Sequence, residues 1–177
     1  MKRFFLVGYM GVGKTTIGKL LSKELDVEFI DLDKYIENRY RKTIQEIFAE
    51  KGEDKFRLIE REMLLEVATF HNVLISTGGG TPCFFNNMDV MNIHGVTLYI
   101  KASVDQLVSR LVASKNVRPI IHNKSPEELK EFVTRHLAER EVYYAKAKLI
   151  YQTDQLVSMG HVEESIVGIM KLLQAYN

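Results

Sequence analysis

Eight residues near the amino end, Gly8-Tyr9-Met10-Gly11-Val12-Gly13-Lys14-Thr15, fit the pattern G-x-x-x-x-G-K-[ST]. They follow directly on the apolar run Phe4-Phe5-Leu6-Val7 and lead directly into Ile17-Gly18-Lys19-Leu20-Leu21, which has helical period. A glycine-rich turn between a strand and a helix aims backbone N–H groups at phosphate oxygens. The lysine supplies charge to the β and γ phosphates, and the Thr15 hydroxyl suits magnesium. With glycine at ~7% of residues, the pattern arises by accident in under about 1% of chains this long. The chain is thereby committed to a strand, turn and helix built around a nucleoside triphosphate, and so to an α/β fold.

The rest of the chain is consistent with that core. At ~150 residues per domain, 177 residues make about one domain, expected to span 1–177. Hydrophobic residues are 46% of the total, enough for folding to bury roughly 70% of the exposed surface of the unfolded chain. Lysine and arginine number 24 against 23 aspartate and glutamate, a balance with no broad footprint for a polyanion such as nucleic acid. One cysteine, Cys83, forms no internal disulfide and fits a reducing compartment. Lys2-Arg3 before an apolar run imitates a signal peptide but the run is too short, and no stretch of ~18 apolar residues offers a membrane span. A cytoplasmic protein is expected.

Strand-length apolar runs alternate with helical segments. Phe4–Val7, Val27–Ile30, Val73–Ile75, Val96–Ile100 and Leu149–Gln152 are the strands, several apolar on consecutive residues, which implies a parallel sheet covered by helices on both faces. Between Asp31 and Asn72 two or three helices are expected, one from Glu53 to about Phe70 carrying Phe56, Ile59, Met63, Val67 and Phe70 at three- and four-residue spacing. Thr43 with Glu46, and Ser125 with Glu128, read as capping boxes, the second opening a long helix to about Ala147. Ser114–Lys124, basic and unpatterned, reads as a mobile surface loop placed to close over a site. Five histidines lack zinc-site spacing and default to surface or packing roles.

The terminal phosphate has several possible uses. A guanine-reading N-K-x-D segment is absent. Asp31 and Asp33 follow the second strand, where doubly wound sheets place their ligands, and on an extended backbone they would face the same side. Phosphoryl transfer to an alcohol needs an acid beside the metal and another for the acceptor hydroxyl. The alternative is that Asp33 only caps the next helix. Arg57 and Arg140 suit a planar carboxylate, and Glu60, three residues on from Arg57, is placed to orient it. Either could instead be a solvated helix charge. Gly78-Gly79-Gly80 reads as a close approach to a ligand or as a plain turn, and Ile44, Phe48 and Phe56 as pocket wall or core.

In sequence order, these segments resemble the shikimate kinase family. Gly8-Tyr9-Met10-Gly11-Val12-Gly13-Lys14-Thr15-Thr16-Ile17-Gly18 is similar to its G-x-M-G-x-G-K-[ST]-[ST]-x-G, and Asp31-Leu32-Asp33 with Ile36-Glu37 to its D-x-D-x-x-I-E. Ile44 with Ile47-Phe48, Gly52-Glu53-Asp54-Lys55-Phe56-Arg57 with Glu60, the glycine triplet, Arg118-Pro119, and Arg140 with Tyr144 complete the likeness. The resemblance implies ATP-dependent phosphorylation of the 3-hydroxyl of shikimate on a five-stranded parallel sheet of order 2-3-1-4-5. It further implies that Gly11, Val12, Gly13, Lys14, Thr15 and Thr16 hold the phosphates, and that magnesium is held by Thr15 and, through water, Asp31. By the same carry-over Asp33, Arg57, Gly79 and Arg140 hold shikimate within a segment of about 32–71 and beyond. Arg110 lies on adenine, and Arg118 reaches the phosphates from a lid at about 114–124. Lys14, Asp33 and Arg118 are then the catalytic set. Shikimate and ATP are the expected partners, with neither nucleic acid nor membrane, and a monomer is the expected form.

Two positions depart from the family pattern: Val142 stands where proline is usual, and Lys146 where glutamate is frequent. The segment Gln152-Thr153-Asp154-Gln155 is only loosely similar to the family's adenine loop. Gluconate kinases and nucleoside monophosphate kinases share the phosphate loop, and a non-catalytic nucleotide sensor would need only Lys14 and Thr15. The glycine triplet with the Gly52-Glu53-Asp54-Lys55-Phe56-Arg57 segment argues against both kinases, and the joint presence of Asp33, Arg57, Arg118 and Arg140 against the sensor.

Overall fold

The computed structural model describes residues 2–113, 124–153 and 159–176. The expected lid, with Arg118, lies outside the described residues except for Lys124, as do Asp154 and Gln155 of the adenine loop.

Five strands, β1 (Arg3–Val7), β2 (Glu28–Asp31), β3 (Val73–Ser76), β4 (Val96–Lys101) and β5 (Leu149–Gln152), pair in parallel in the order β2-β3-β1-β4-β5. The most apolar runs take the middle. Phe5, Leu6 and Val7 of β1, and Leu74 and Ile75 of β3, are wholly buried, as expected of strands covered on both faces. Side-chain shape brings α1 (Lys14–Leu25) down onto the sheet: a Cβ at Gly18 would collide with the Phe29 ring.

The remaining helices are α2 (Leu32–Tyr40), α3 (Ile44–Val67), α4 (Asn87–His94), α5 (Val104–Ala113), α6 (Pro126–Tyr144) and α7 (Met159–Tyr176). Both expected capping boxes are present: Thr43 with Glu46 opens α3, and Ser125 with Glu128 opens α6. Gly52 breaks α3 at φ 75°, ψ 172°, so the helix expected from Glu53 begins just past a kink. It ends at Val67 rather than Phe70, and α6 ends at Tyr144 rather than Ala147.

One expectation about the acid pair fails. Asp31 is the last residue of β2 and also the N-cap of α2, its carboxylate accepting from the Lys34 N–H at 3.3 Å, while Asp33 sits in the first helical turn. The chain turns into a helix between them, so the extended backbone expected there is absent, although both acids still line one cavity, and the capping role belongs to Asp31. Strand ends deliver the candidate site: β1 runs into the glycine loop, β2 into the acid pair and β3 into Gly78-Gly79-Gly80.

Candidate active site

The glycine loop supplies the first part. Gly8, Gly11 and Gly13 have φ of 146°, 78° and 99°, backbone that a side chain strains, and a Cβ on Gly8 would lie 2.5 Å from the Ile100 carbonyl oxygen. Gly13 caps α1, whose first N–H groups therefore open on the loop. Lys14 is 9% exposed and donates from Nζ to the carbonyls of Gly8 (2.7 Å) and Tyr9 (3.0 Å), holding its charge over the loop. Val12 contributes only backbone, for its side chain is in the core, and its carbonyl accepts from Arg110 Nη1 at 3.1 Å. A cavity of about 210 Å³ lies here, walled by Gly11, Gly13, Lys14, Thr15 and Thr16 on one side and by Asp31, Asp33 and Ser76–Gly79 on the other.

Within it the Thr15 hydroxyl donates to Asp31 Oδ2 at 3.0 Å. One hydroxyl and one carboxylate, with no larger group of metal-binding side chains among the described residues, fit a hard cation that keeps its waters and takes phosphate oxygens, as magnesium does.

A second cavity, about 260 Å³, shares Met10, Asp33, Gly78 and Gly79 with the first. Ile44, Phe48 and Phe56 form its apolar wall, so these residues serve as pocket lining while also packing against the core. Arg57 and Arg140 both line it. Arg57 is held from several directions. Its Nη1 donates to Glu60 Oε2 at 2.9 Å, and its Nε and Nη2 donate to Glu53 Oε1 at 3.3 and 3.0 Å. Its guanidinium carbon stands 4.1 Å from the Phe84 ring centroid and 5.2 Å from that of Phe56. Glu60, 1% exposed, is the orienting acid that the spacing implies.

Behind it runs a buried polar relay that the sequence does not announce. Thr81 Oγ1 donates to Glu60 Oε1 at 2.6 Å, Asn87 Nδ2 to the Thr81 carbonyl at 2.8 Å, and Arg61 Nη1 to Asn87 Oδ1 at 2.8 Å. These partners stand up to 26 residues apart and follow no period. Only the fold brings them together.

Gly78 and Gly80 are constrained by neighbours rather than by backbone angle. A Cβ on Gly78 would lie 2.8 Å from Asp33 Oδ1, and one on Gly80 would lie 2.7 Å from Arg57 Nη1. Gly79 is 3.6 Å, by the same construction, from Arg140 Nη1. Its carbonyl accepts from the buried Tyr144 hydroxyl at 2.5 Å.

His136, Arg140 and Tyr144 recur every four residues and share one face of α6. The Tyr9 hydroxyl of the glycine loop pairs with His136 Nδ1 at 2.8 Å. Burial, and then the Arg140 charge, hold the His136 imidazole below its usual range. Burial likewise pushes the Tyr144 phenol well up and the Cys83 thiol to about 11, against the pull of Arg140 and Arg57 on the thiol. His136 lines the second cavity, and the expectation of a surface or packing histidine misses it. Its spacing from Arg140 is the available signal.

The two departures from the family pattern lie outside this face. Val142 is exposed, and Lys146 stands 5.5 Å over the Tyr143 ring while its carbonyl accepts from Asn92.

Comparison with known proteins gives one consistent result. A family model described as Shikimate kinase matches residues 10–172. The chain is 51% identical over 173 residues to a shikimate kinase of Parabacteroides distasonis, covering 98% of this chain and all of that one. The crystal structure of shikimate kinase from Bacteroides thetaiotaomicron aligns with a TM-score of 0.94 at 47% identity, covering 98% of each chain. The shikimate kinase from Acinetobacter baumannii in complex with shikimate aligns at 0.86 and 29% identity, over all of this chain and 95% of that one.

Proposed function

The chain belongs to the shikimate kinase family, and on that premise we propose that it transfers the γ-phosphoryl group of ATP to the 3-hydroxyl of shikimate, using the two joined cavities. The observation that carries the assignment of sites is the shared wall: Asp33 and Gly78-Gly79 border the phosphate cavity and the acceptor cavity alike. A hydroxyl resting on that wall faces phosphate on one side and a carboxylate base on the other.

Roles follow from the chemistry. Gly11 to Thr16 hold the phosphates through N–H groups, with Lys14 neutralising charge on the group in transfer. Thr15, with Asp31 through water, would hold magnesium, which would supply positive charge to offset that of the phosphates. Arg57 and Arg140 fork the shikimate carboxylate, the Gly79 backbone supports the ring, and Asp33 accepts the proton of the attacking hydroxyl. Arg110, fastened to the loop at Val12, is assigned to adenine, and Arg118 to the phosphates by resemblance alone. The acting unit is proposed to be a monomer. No helix among the described residues is long and apolar enough to cross a membrane.

The test is ADP release with ATP and magnesium against shikimate, quinate, gluconate and nucleoside monophosphates. Turnover with shikimate alone is expected. The Asp33→Asn variant should lose most of that turnover at saturating substrates, since an amide takes no proton; a near-native rate would remove Asp33 from the chemistry.

A further inference from the structure

His136 has no part in the roles just assigned, yet its ring lines the acceptor cavity together with Arg57, Arg140 and Asp33. Three contacts fix that ring. Nδ1 is taken by the Tyr9 hydroxyl at 2.8 Å, the Tyr9 ring meets it edge-on at 5.5 Å, and the Phe132 ring lies tilted against it at 4.9 Å. Tyr9 is itself 1% exposed and belongs to the rigid glycine loop. The imidazole is therefore anchored through its buried partner, and Nε2 has no partner among the described residues. Burial and the Arg140 charge favour the uncharged ring, which donates or accepts according to the tautomer that Tyr9 selects.

The acceptor's carboxylate is met by the two arginines and its reacting hydroxyl by Asp33. Two further ring hydroxyls of shikimate lose water on entering a cavity that Ile44, Phe48 and Phe56 also line. A desolvated hydroxyl without a partner weakens binding, whereas a site built to pair with it rejects the analogue lacking it. We propose that His136 is a specificity-determining contact for the acceptor, its Nε2 pairing with a non-reacting ring hydroxyl while Tyr9 holds Nδ1. The proposal rests on the reading of shikimate as substrate and adds a recognition element to it.

Two measurements decide it. Initial rates of native enzyme, H136F and H136Q are compared on shikimate and on its 4-deoxy and 5-deoxy analogues. H136F should raise KM for shikimate about three- to tenfold, the range of one neutral hydrogen bond, with little change in kcat, and H136Q should recover part of the loss. For one of the two analogues the KM values of native and H136F should coincide. A KM ratio that is the same for all three substrates would overturn the proposal and leave His136 as packing. The second measurement needs no variant that might fail to fold: in uniformly 13C,15N-labelled native protein, saturating shikimate should move the His136 Nε2 resonance, assigned by through-bond correlation to the His136 backbone. An unmoved resonance also overturns the proposal. No ADP release by native enzyme with shikimate would instead overturn the substrate reading beneath it.

Discussion

The hydroxyl of Thr81 is all that pairs Glu60 Oε1, deep behind the Arg57 fork, among the hydrogen bonds described. Replacing it by valine keeps shape and β-branching but leaves a carboxylate oxygen buried without a donor. Hydrogen bonds to charged groups contribute about 1.5–3 kcal/mol, and here the loss falls on the group that aims Arg57. Thr81→Val should therefore raise KM for shikimate by about an order of magnitude, leaving KM for ATP near native; equal effects on both would place the residue in general stability. Nothing local in the sequence foretells this contact, because Thr81 and Glu60 lie 21 residues apart on elements with different periods. Glu60 itself is legible, since a partner three residues along a helix is a local matter.

At the scale of elements, Gly52 divides α3 into a capped opening turn and the long arm that carries Arg57 and Glu60. Its φ and ψ fall in a region essentially reserved for glycine, and a Cβ there would meet nothing within 4 Å, so strain in the backbone is the sole cost of alanine. Gly52→Ala is expected to destabilise by about 1–3 kcal/mol, which thermal unfolding would register as a fall of roughly 2–10 °C. An unchanged melting temperature would mean that the kink straightens without loss. Elements were the most legible level. The strands are readable because burial on both faces leaves an unbroken apolar run, and the helix starts at Thr43 and Ser125 because capping boxes are short-range chemistry. The Asp31-Leu32-Asp33 segment is misread because a strand that passes straight into a helix gives no punctuation, Asp31 serving as the end of one and the cap of the other.

For the whole molecule, the parallel order β2-β3-β1-β4-β5 sets the loops after β1, β2 and β3 side by side, and α6 closes against them through Tyr9–His136 and Tyr144–Gly79. This union of sheet and helix is expected to weaken as pH falls. Burial and the Arg140 charge depress the His136 value below its ordinary 6.5, so as pH falls the unfolded chain takes up this proton first. The contribution to stability is complete above about pH 6.5 and is lost as pH drops toward the folded-state value. Denaturant unfolding between pH 7.5 and 5 should show native protein losing stability more steeply than H136Q; parallel curves would mean that His136 titrates alike in both states. Side by side, too, stand Gly80 with the Arg57 guanidinium and Gly78 with the Asp33 carboxylate, each glycine too near its neighbour to accept a methyl group. In a lineage such a pair drifts in a fixed order: alanine at 80 becomes harmless only after 57 has lost its fork, and with the fork gone nothing selects for glycine. A gene copy released from this substrate would lose the fork first and the glycine after it, and its way back would restore them in the reverse order.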